Sequence, residues 1–309
     1  MMNSAPTAKE RKFSSSPLCL ISALAWGISF PMQEIASGYS DLLSSFAFNG
    51  LRMLLAGFAL IPVVFLFERH ADYSRQRIKA TALRGALAGA ILFSASSFQQ
   101  FGIQLTKESG KAGFITSLYL VIVAVISFVI FKERLSPFVV IAMPISLTGL
   151  YFLSFSEGFS GVQAGDLLVL VCAFLYATHI IVLDKSANAT NPLLFSCVQF
   201  FVAGILGTAF GGIFGTVTAE GIKGCALPIL FCGIFSVAVA YTLQLLGQRN
   251  GNPTVCALFC SMESLFAVIA ECVMEAKLPS AKMIIGCGLM LTAVVLAQLP
   301  RELFKRKIK

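Results

Sequence analysis

Two charged side chains stand inside apolar stretches of this chain. Glu263 lies about ten residues into the run 254–274, and Arg52 lies within the run 44–67. Charge at the centre of a lipid bilayer costs roughly 2.5–3.5 kcal/mol on insertion scales, so such residues are candidates for chemistry by default. Glu263 shares a helical stripe with Cys256, Cys260, Ala267 and Glu271. It can face a cavity and bind an amine or carry a proton, or it can tie helices together as a buried carboxylate. Arg52 can grip a substrate carboxylate through its planar fork. Equally, it can be the structural partner of Glu263 or Glu271, because a lone buried guanidinium is unfavourable.

A second set is uncharged. Tyr241, Gln244 and Gln248 recur at i, i+3 and i+7; Gln100 and Gln104 stand at i and i+4; Tyr119 follows in the next apolar run. Trp26, Tyr176 and His179 complete the set. Singly, amides and hydroxyls between membrane helices act as glue worth roughly 0.6–2 kcal/mol. Together they read as the lining of a wet cavity. His179 can titrate near neutrality or simply pack. Glu34, Asp184 and Glu133 fall at run ends and read as structural. The nine cysteines lie almost wholly inside apolar runs without metal-ligand spacing, and Cys256 and Cys260 read as small core residues. No metal, cofactor or catalytic constellation is expected. With no phosphate-binding glycine loop and no nucleotide-binding domain, energy must come from an ion gradient or from a substrate's own gradient.

The elements that must position these residues are read from composition. The chain has 309 residues, 57% hydrophobic and 12% charged, with mean hydropathy +0.84. A bilayer span needs about 20 mostly apolar residues. Ten runs qualify, at 18–36, 44–67, 83–105, 112–131, 137–154, 164–183, 192–214, 226–247, 254–274 and 280–299. The net charge of +8 implies no nucleic acid, because the basic residues sort by loop. Lys9, Arg11, Lys12, Arg69, Arg75, Arg77, Lys79, Arg84, Lys132, Arg134, Lys185, Arg249 and the tail 300–309 fall on one side; Lys107, Lys111, Lys223, Lys277 and Lys282 fall on the other. The positive-inside rule then puts both termini in the cytoplasm of a multi-pass cell-membrane protein. No cleavable signal peptide precedes the first run.

The runs repeat. Phe98–Ser136 reads as helix, polar turn and helix, and Tyr241–Pro279 has the same layout 143 residues on. Trp26, Ser29 and Glu34 fall on Tyr176, His179 and Asp184 at an offset of 150; Arg52 falls on Gln199 at 147; Leu147-Thr148 falls on Leu291-Thr292 at 144. Five helices per copy invert the second copy in the membrane, as in secondary transporters whose site lies at the midplane between the copies. The expected fold is an all-α integral membrane protein of ten transmembrane helices, a five-plus-five inverted repeat with a central cavity. Its parts are a cytoplasmic tail at 1–17, a first repeat at 18–154, an external linker at 155–163, a second repeat at 164–299 and a basic cytoplasmic tail at 300–309. One such chain forms its own pathway, so a monomer suffices.

Trp26-Gly-x-x-Phe-Pro31, Arg52, Gly110 to Tyr119, Glu133-Arg-Leu-Ser136, Tyr241-Thr-Leu-Gln244, Pro253-Thr254 and Ser261-Met-Glu263 together resemble the drug/metabolite transporter superfamily, in particular its EamA-domain members with two repeats. The resemblance covers roughly residues 18–299. It implies export or exchange of a small polar metabolite, often an amino acid or related compound, by alternating access. Val121 and Ser264 stand where the family often has proline, so helices 4 and 9 are expected to run straighter here. The alternatives are a structural or sensory subunit with a dry centre in which Arg52 is sealed against a glutamate, and a membrane-embedded enzyme, which would need catalytic groups clustered at one interface.

Overall fold

The computed structural model describes residues 8–107, 109–132, 135–154, 162–249, 251–274, 276 and 278–299. Most of the linker 155–163, the tail 300–309 and Glu133 lie outside the described residues. Ten apolar helical segments follow one another: α1 (Ala8–Ser37), α2 (Ser45–Phe67), α3 (Arg75–Thr106), α4 in two pieces (Ser109–Ser117 and Tyr119–Val129) and α5 (Pro137–Ser154), then α6 (Ala164–Ser186), α7 (Pro192–Phe214), α8 in three pieces (Ala226–Phe231, Cys232–Tyr241 and Thr242–Gln248), α9 in two (Pro253–Cys260 and Glu263–Met274) and α10 (Ala281–Ala297). Eight of the segments are long and apolar enough to cross a bilayer, and α5 and α10 are shorter apolar helices. Large apolar side chains such as Phe65, Phe67 and Val273 point outward. Lipid solvates them, while each helix satisfies its own backbone. α1 begins at Ala8, ahead of its apolar run, and α3 begins at Arg75, so its basic residues ride on a helical extension beyond the bilayer.

Helix starts are set by local chemistry. The Ser44 hydroxyl accepts from Ala47 N at 3.3 Å at the head of α2, and Asn252 Oδ1 accepts from Thr254 N at 3.0 Å before Pro253 opens α9. The head of α7 is capped from a distance: Leu193 N and Leu194 N donate to the Glu68 carboxylate at 2.8 and 3.0 Å. A carboxylate at a helix N-terminus fits both the free N–H groups and the dipole. In the α2–α3 loop the Asp72 carboxyl is held below its ordinary range, chiefly by hydrogen bonds from the Ser74 N–H and hydroxyl.

Packing follows the inverted repeat. α2 lies along α7 and α5 along α10, each pairing a helix with its own image. α3 packs on α6 and α7, as α8 packs on α1 and α2; α4 packs on α6, as α9 packs on α1. These principal contacts therefore have their counterparts when the two repeats are exchanged. Glycines allow the closest approaches. A Cβ on Gly27 of α1 would stand 2.7 Å from Glu263 O and 2.8 Å from Ala267 N of α9.

Helices 4 and 9, where the sequence lacks the family's prolines, nevertheless each fall into two pieces. Each breaks at an equivalent point, Leu118 in α4 and Ser261–Met262 in α9. There Val121 N donates to Leu118 O at 3.0 Å and Ser264 N to Ser261 O at 3.3 Å, three residues back instead of four. At the α9 break a serine hydroxyl competes with the helix ladder where proline would otherwise interrupt it. Ser261 Oγ donates to Leu258 O at 2.8 Å, a back-bond that competes with the helix ladder, and the Ser117 and Ser264 hydroxyls meet at 3.2 Å across the two breaks. α8 departs differently, widening to a π-helix over Cys232–Tyr241. Within it the Ser236 and Ala240 carbonyls accept from Trp26 Nε1 at 2.9 Å and Ser22 Oγ at 2.8 Å, fixing α1 against α8.

Candidate functional site

The breaks in α4 and α9 and the wide stretch of α8 surround a cavity between the repeats, about 40 Å³ in volume. That is room for a few water molecules. Eight of the nine residues singled out in the sequence line it: Trp26, Arg52, Tyr119, Tyr176, His179, Tyr241, Gln244 and Glu263. They come from α1, α2, α4, α6, α8 and α9, so both repeats contribute.

Glu263 is 5% exposed and opens the second piece of α9. Its Oε1 accepts from Ser117 Oγ at 3.4 Å. Arg52 is 3% exposed, and its guanidinium stands 5.3 Å from the centre of the Phe48 ring. Among the described residues Arg52 makes no ion pair, and its Nε has no hydrogen-bond partner. The expected seal between Arg52 and Glu263 or Glu271 is therefore not formed. The two charges share one chamber without closing on each other.

The walls are aromatic. Trp26 and Tyr241 meet at 4.9 Å between ring centres, and His179 meets Tyr241 edge-on at 5.7 Å. His179 Nε2 pairs with Gln199 Oε1 at 3.0 Å, while its Nδ1 has no partner. Tyr176 Oη donates to Gln99 Oε1 at 3.3 Å, and Gln99 Nε2 donates to Thr116 Oγ1 at 3.1 Å. Gln33 Oε1 and Gln244 Oε1 have no hydrogen-bond partners. Buried polar atoms are rarely left unpaired. Several of them line this chamber, and others lie elsewhere among the described residues.

Gln100 is the ninth residue, and it lies outside the lining. Its Nε2 donates to the Gln33 carbonyl at 3.1 Å, tying α3 to α1. Gln104 accepts from Ser45 Oγ at 2.8 Å, outside the cavity. Ser29, Phe30, Gln33, Gln99, Thr116, Ile180, Ser236 and Val237 complete the lining. Ser29 and Gln33 follow Trp26 at i+3 and i+7 on the same face of α1. Gln99 was overlooked; its signal was the i, i+3 step from Ser96, whose hydroxyl also reaches Tyr176 Oη at 3.4 Å.

Two further pairs join the repeats, and neither was legible. Lys111, placed by sequence in an exposed loop, is 3% exposed and binds Asp166 of α6 at 2.7 Å. The Asp166 carboxylate also accepts from Gln163 N at 2.7 Å. Cys256, read as core filler, is joined by a disulfide to Cys19 of α1.

Comparison with known proteins agrees with this architecture. The sequence pattern described as "EamA-like transporter family" matches residues 14–155 and again residues 163–299. An "Uncharacterized transporter" of Archaeoglobus fulgidus is 30% identical over 290 residues, covering 94% of this chain and 87% of that protein. A solved crystal structure superposes with a TM-score of 0.76 at 18% identity, over 96% of this chain and 99% of that one, a likeness of fold alone. The chain is a multi-pass membrane protein and belongs to the EamA-like transporter family.

Proposed function

We propose that this membrane transporter is a secondary carrier that exports a small zwitterionic metabolite, an amino acid or a close relative, by alternating access, with both termini in the cytoplasm of the cell membrane. One observation carries the reading: a buried cavity between the repeats holds Arg52 without a carboxylate partner together with Glu263. A zwitterion supplies what each of them lacks. Its carboxylate suits the fork of a guanidinium. Its ammonium suits the Glu263 carboxylate and the ring faces of Trp26 and Tyr241, which attract cations. The unpartnered oxygens of Gln33 and Gln244 are acceptors for the remaining ammonium protons.

The non-carrier reading called for a dry centre with Arg52 sealed against a glutamate, and the described residues hold no such pair. Alternating access is supported by the paired breaks in α4 and α9, since discontinuous helices at the junction of inverted repeats are a hallmark of carriers. Glu263, at one of these breaks, is the residue placed to exchange a proton for substrate. Export follows the family resemblance, and the orientation follows the basic loops. Saturable flux of labelled amino acids in proteoliposomes, abolished in Arg52→Met, tests the proposal; saturable flux that is indifferent to Arg52 would refute the assigned site.

A further inference from the structure

Cys19 and Cys256 lie between the cavity and the face of the protein that carries the basic loops. Each stands seven residues toward that face from a cavity residue, Cys19 from Trp26 and Cys256 from Glu263. Seven helical residues span roughly 10 Å. The two Cα atoms are 6.0 Å apart, a separation suited to a disulfide, and the bond links α1 of the first repeat to α9 of the second. Both residues are buried. One turn deeper, Ser22 Oγ binds the α8 carbonyl of Ala240 at 2.8 Å, so this end of the bundle is closed where the cysteines meet.

We infer that Cys19 and Cys256 form a thiol–disulfide site that fastens the basic-face end of the pathway shut when oxidised and releases it when reduced. The inference rests on the alternating-access reading above. A path from the cavity to the basic face requires α1 and α9 to part, and a covalent bond between them forbids it. Reducing compartments keep such pairs as dithiols, so the working carrier holds two thiols and oxidation stops it. The oxidant is a small disulfide such as oxidised glutathione. When α1 and α9 part, one cysteine thiolate attacks it, forming a mixed disulfide and releasing one glutathione thiolate, which takes up a proton. When the helices close, the second cysteine, deprotonated, attacks the protein-bound sulfur of the mixed disulfide and expels the second glutathione. Two thiols are oxidised and one small disulfide is reduced to two thiols. Because the pair is buried when closed, the first attack reports opening toward the basic face.

The test uses full-length protein in proteoliposomes, treated with oxidised glutathione or with dithiothreitol. Peptide mapping without reduction should find a Cys19–Cys256 link after oxidation and lose it after dithiothreitol. Hydrogen exchange of the backbone over residues 253–260 should be at least tenfold slower in the oxidised protein. Amino acid flux should fall at least tenfold on oxidation and return on reduction, while Cys19→Ala and Cys256→Ala are indifferent to oxidant. Exchange that responds to redox state in a protein without flux would support the lock and count against the carrier reading. Absence of the linked peptide, or a linked protein with unchanged exchange and flux, would overturn the inference.

Discussion

Replacing Arg52 with Met separates the two roles open to a buried guanidinium. Removing one partner of a buried ion pair strands the other charge and destabilises by roughly 3–5 kcal/mol. Arg52, however, has no such partner among the described residues; it has the Phe48 ring at 5.3 Å and an unbonded Nε. Loss of the ring contact amounts to about 0.5–2 kcal/mol, and removing an unbonded buried donor offsets part of that. Arg52→Met is therefore expected to fold and to lose no more than about 2 kcal/mol in thermal unfolding in detergent. Its effect on recognition is larger. Two charge-assisted hydrogen bonds to a substrate carboxylate, at about 1.5–3 kcal/mol each, sum to roughly 3–6 kcal/mol, or about 10²–10⁴-fold. The assay is competition in proteoliposomes between an amino acid and its decarboxylated amine. Wild type should prefer the amino acid by about that factor, and Arg52→Met should lose the preference. A variant that unfolds early by 3–5 kcal/mol, or that still discriminates the carboxylate, would refute the reasoning.

Other expectations concern the contacts between repeats. Lys111→Met leaves Asp166 buried opposite nothing charged and should lower stability by roughly 3–5 kcal/mol; a double-mutant cycle with Asp166→Asn should recover part of that loss as coupling energy. Gly27→Ala places a methyl 2.7 Å from Glu263 O and should cost about 1–3 kcal/mol by overpacking, with slower flux because α1 and α9 cannot close; the unfolding temperature and initial rate check it. Gln99→Leu removes a cavity wall that holds Tyr176 and Thr116 and should raise the half-saturation concentration. Gln100→Leu, outside the lining, should leave that concentration unchanged, as dose–response curves will show.

Much of the architecture could be read from apolar runs, because a bilayer demands about 20 apolar residues per span whatever the packing. Arg52 and Glu263 were conspicuous for the same reason: in an apolar run a charge has nowhere else to go. Facing was harder. Polar residues four apart drift about 40° per step around an α-helix, so Gln100 and Gln104 read as one face although Gln99, one residue earlier, lines the cavity. The breaks in α4 and α9 carry no sequence signal as plain as proline; at one of them the Ser261 hydroxyl bonds the Leu258 carbonyl. Lys111–Asp166 and Cys19–Cys256 join residues far apart in the chain. Such pairs depend on how two repeats dock, and the periodicity of a single helix carries no record of that.

The most direct test of the central claim is flux in proteoliposomes for wild type and Glu263→Gln, with and without an imposed pH gradient. Wild type is expected to accumulate a labelled amino acid against its gradient when protons drive it, and Glu263→Gln to retain saturable exchange but no longer accumulate substrate. A folded Glu263→Gln that accumulates as well as wild type would contradict the assignment of the proton to Glu263, and a folded wild type that moves no amino acid would contradict the proposed substrate class.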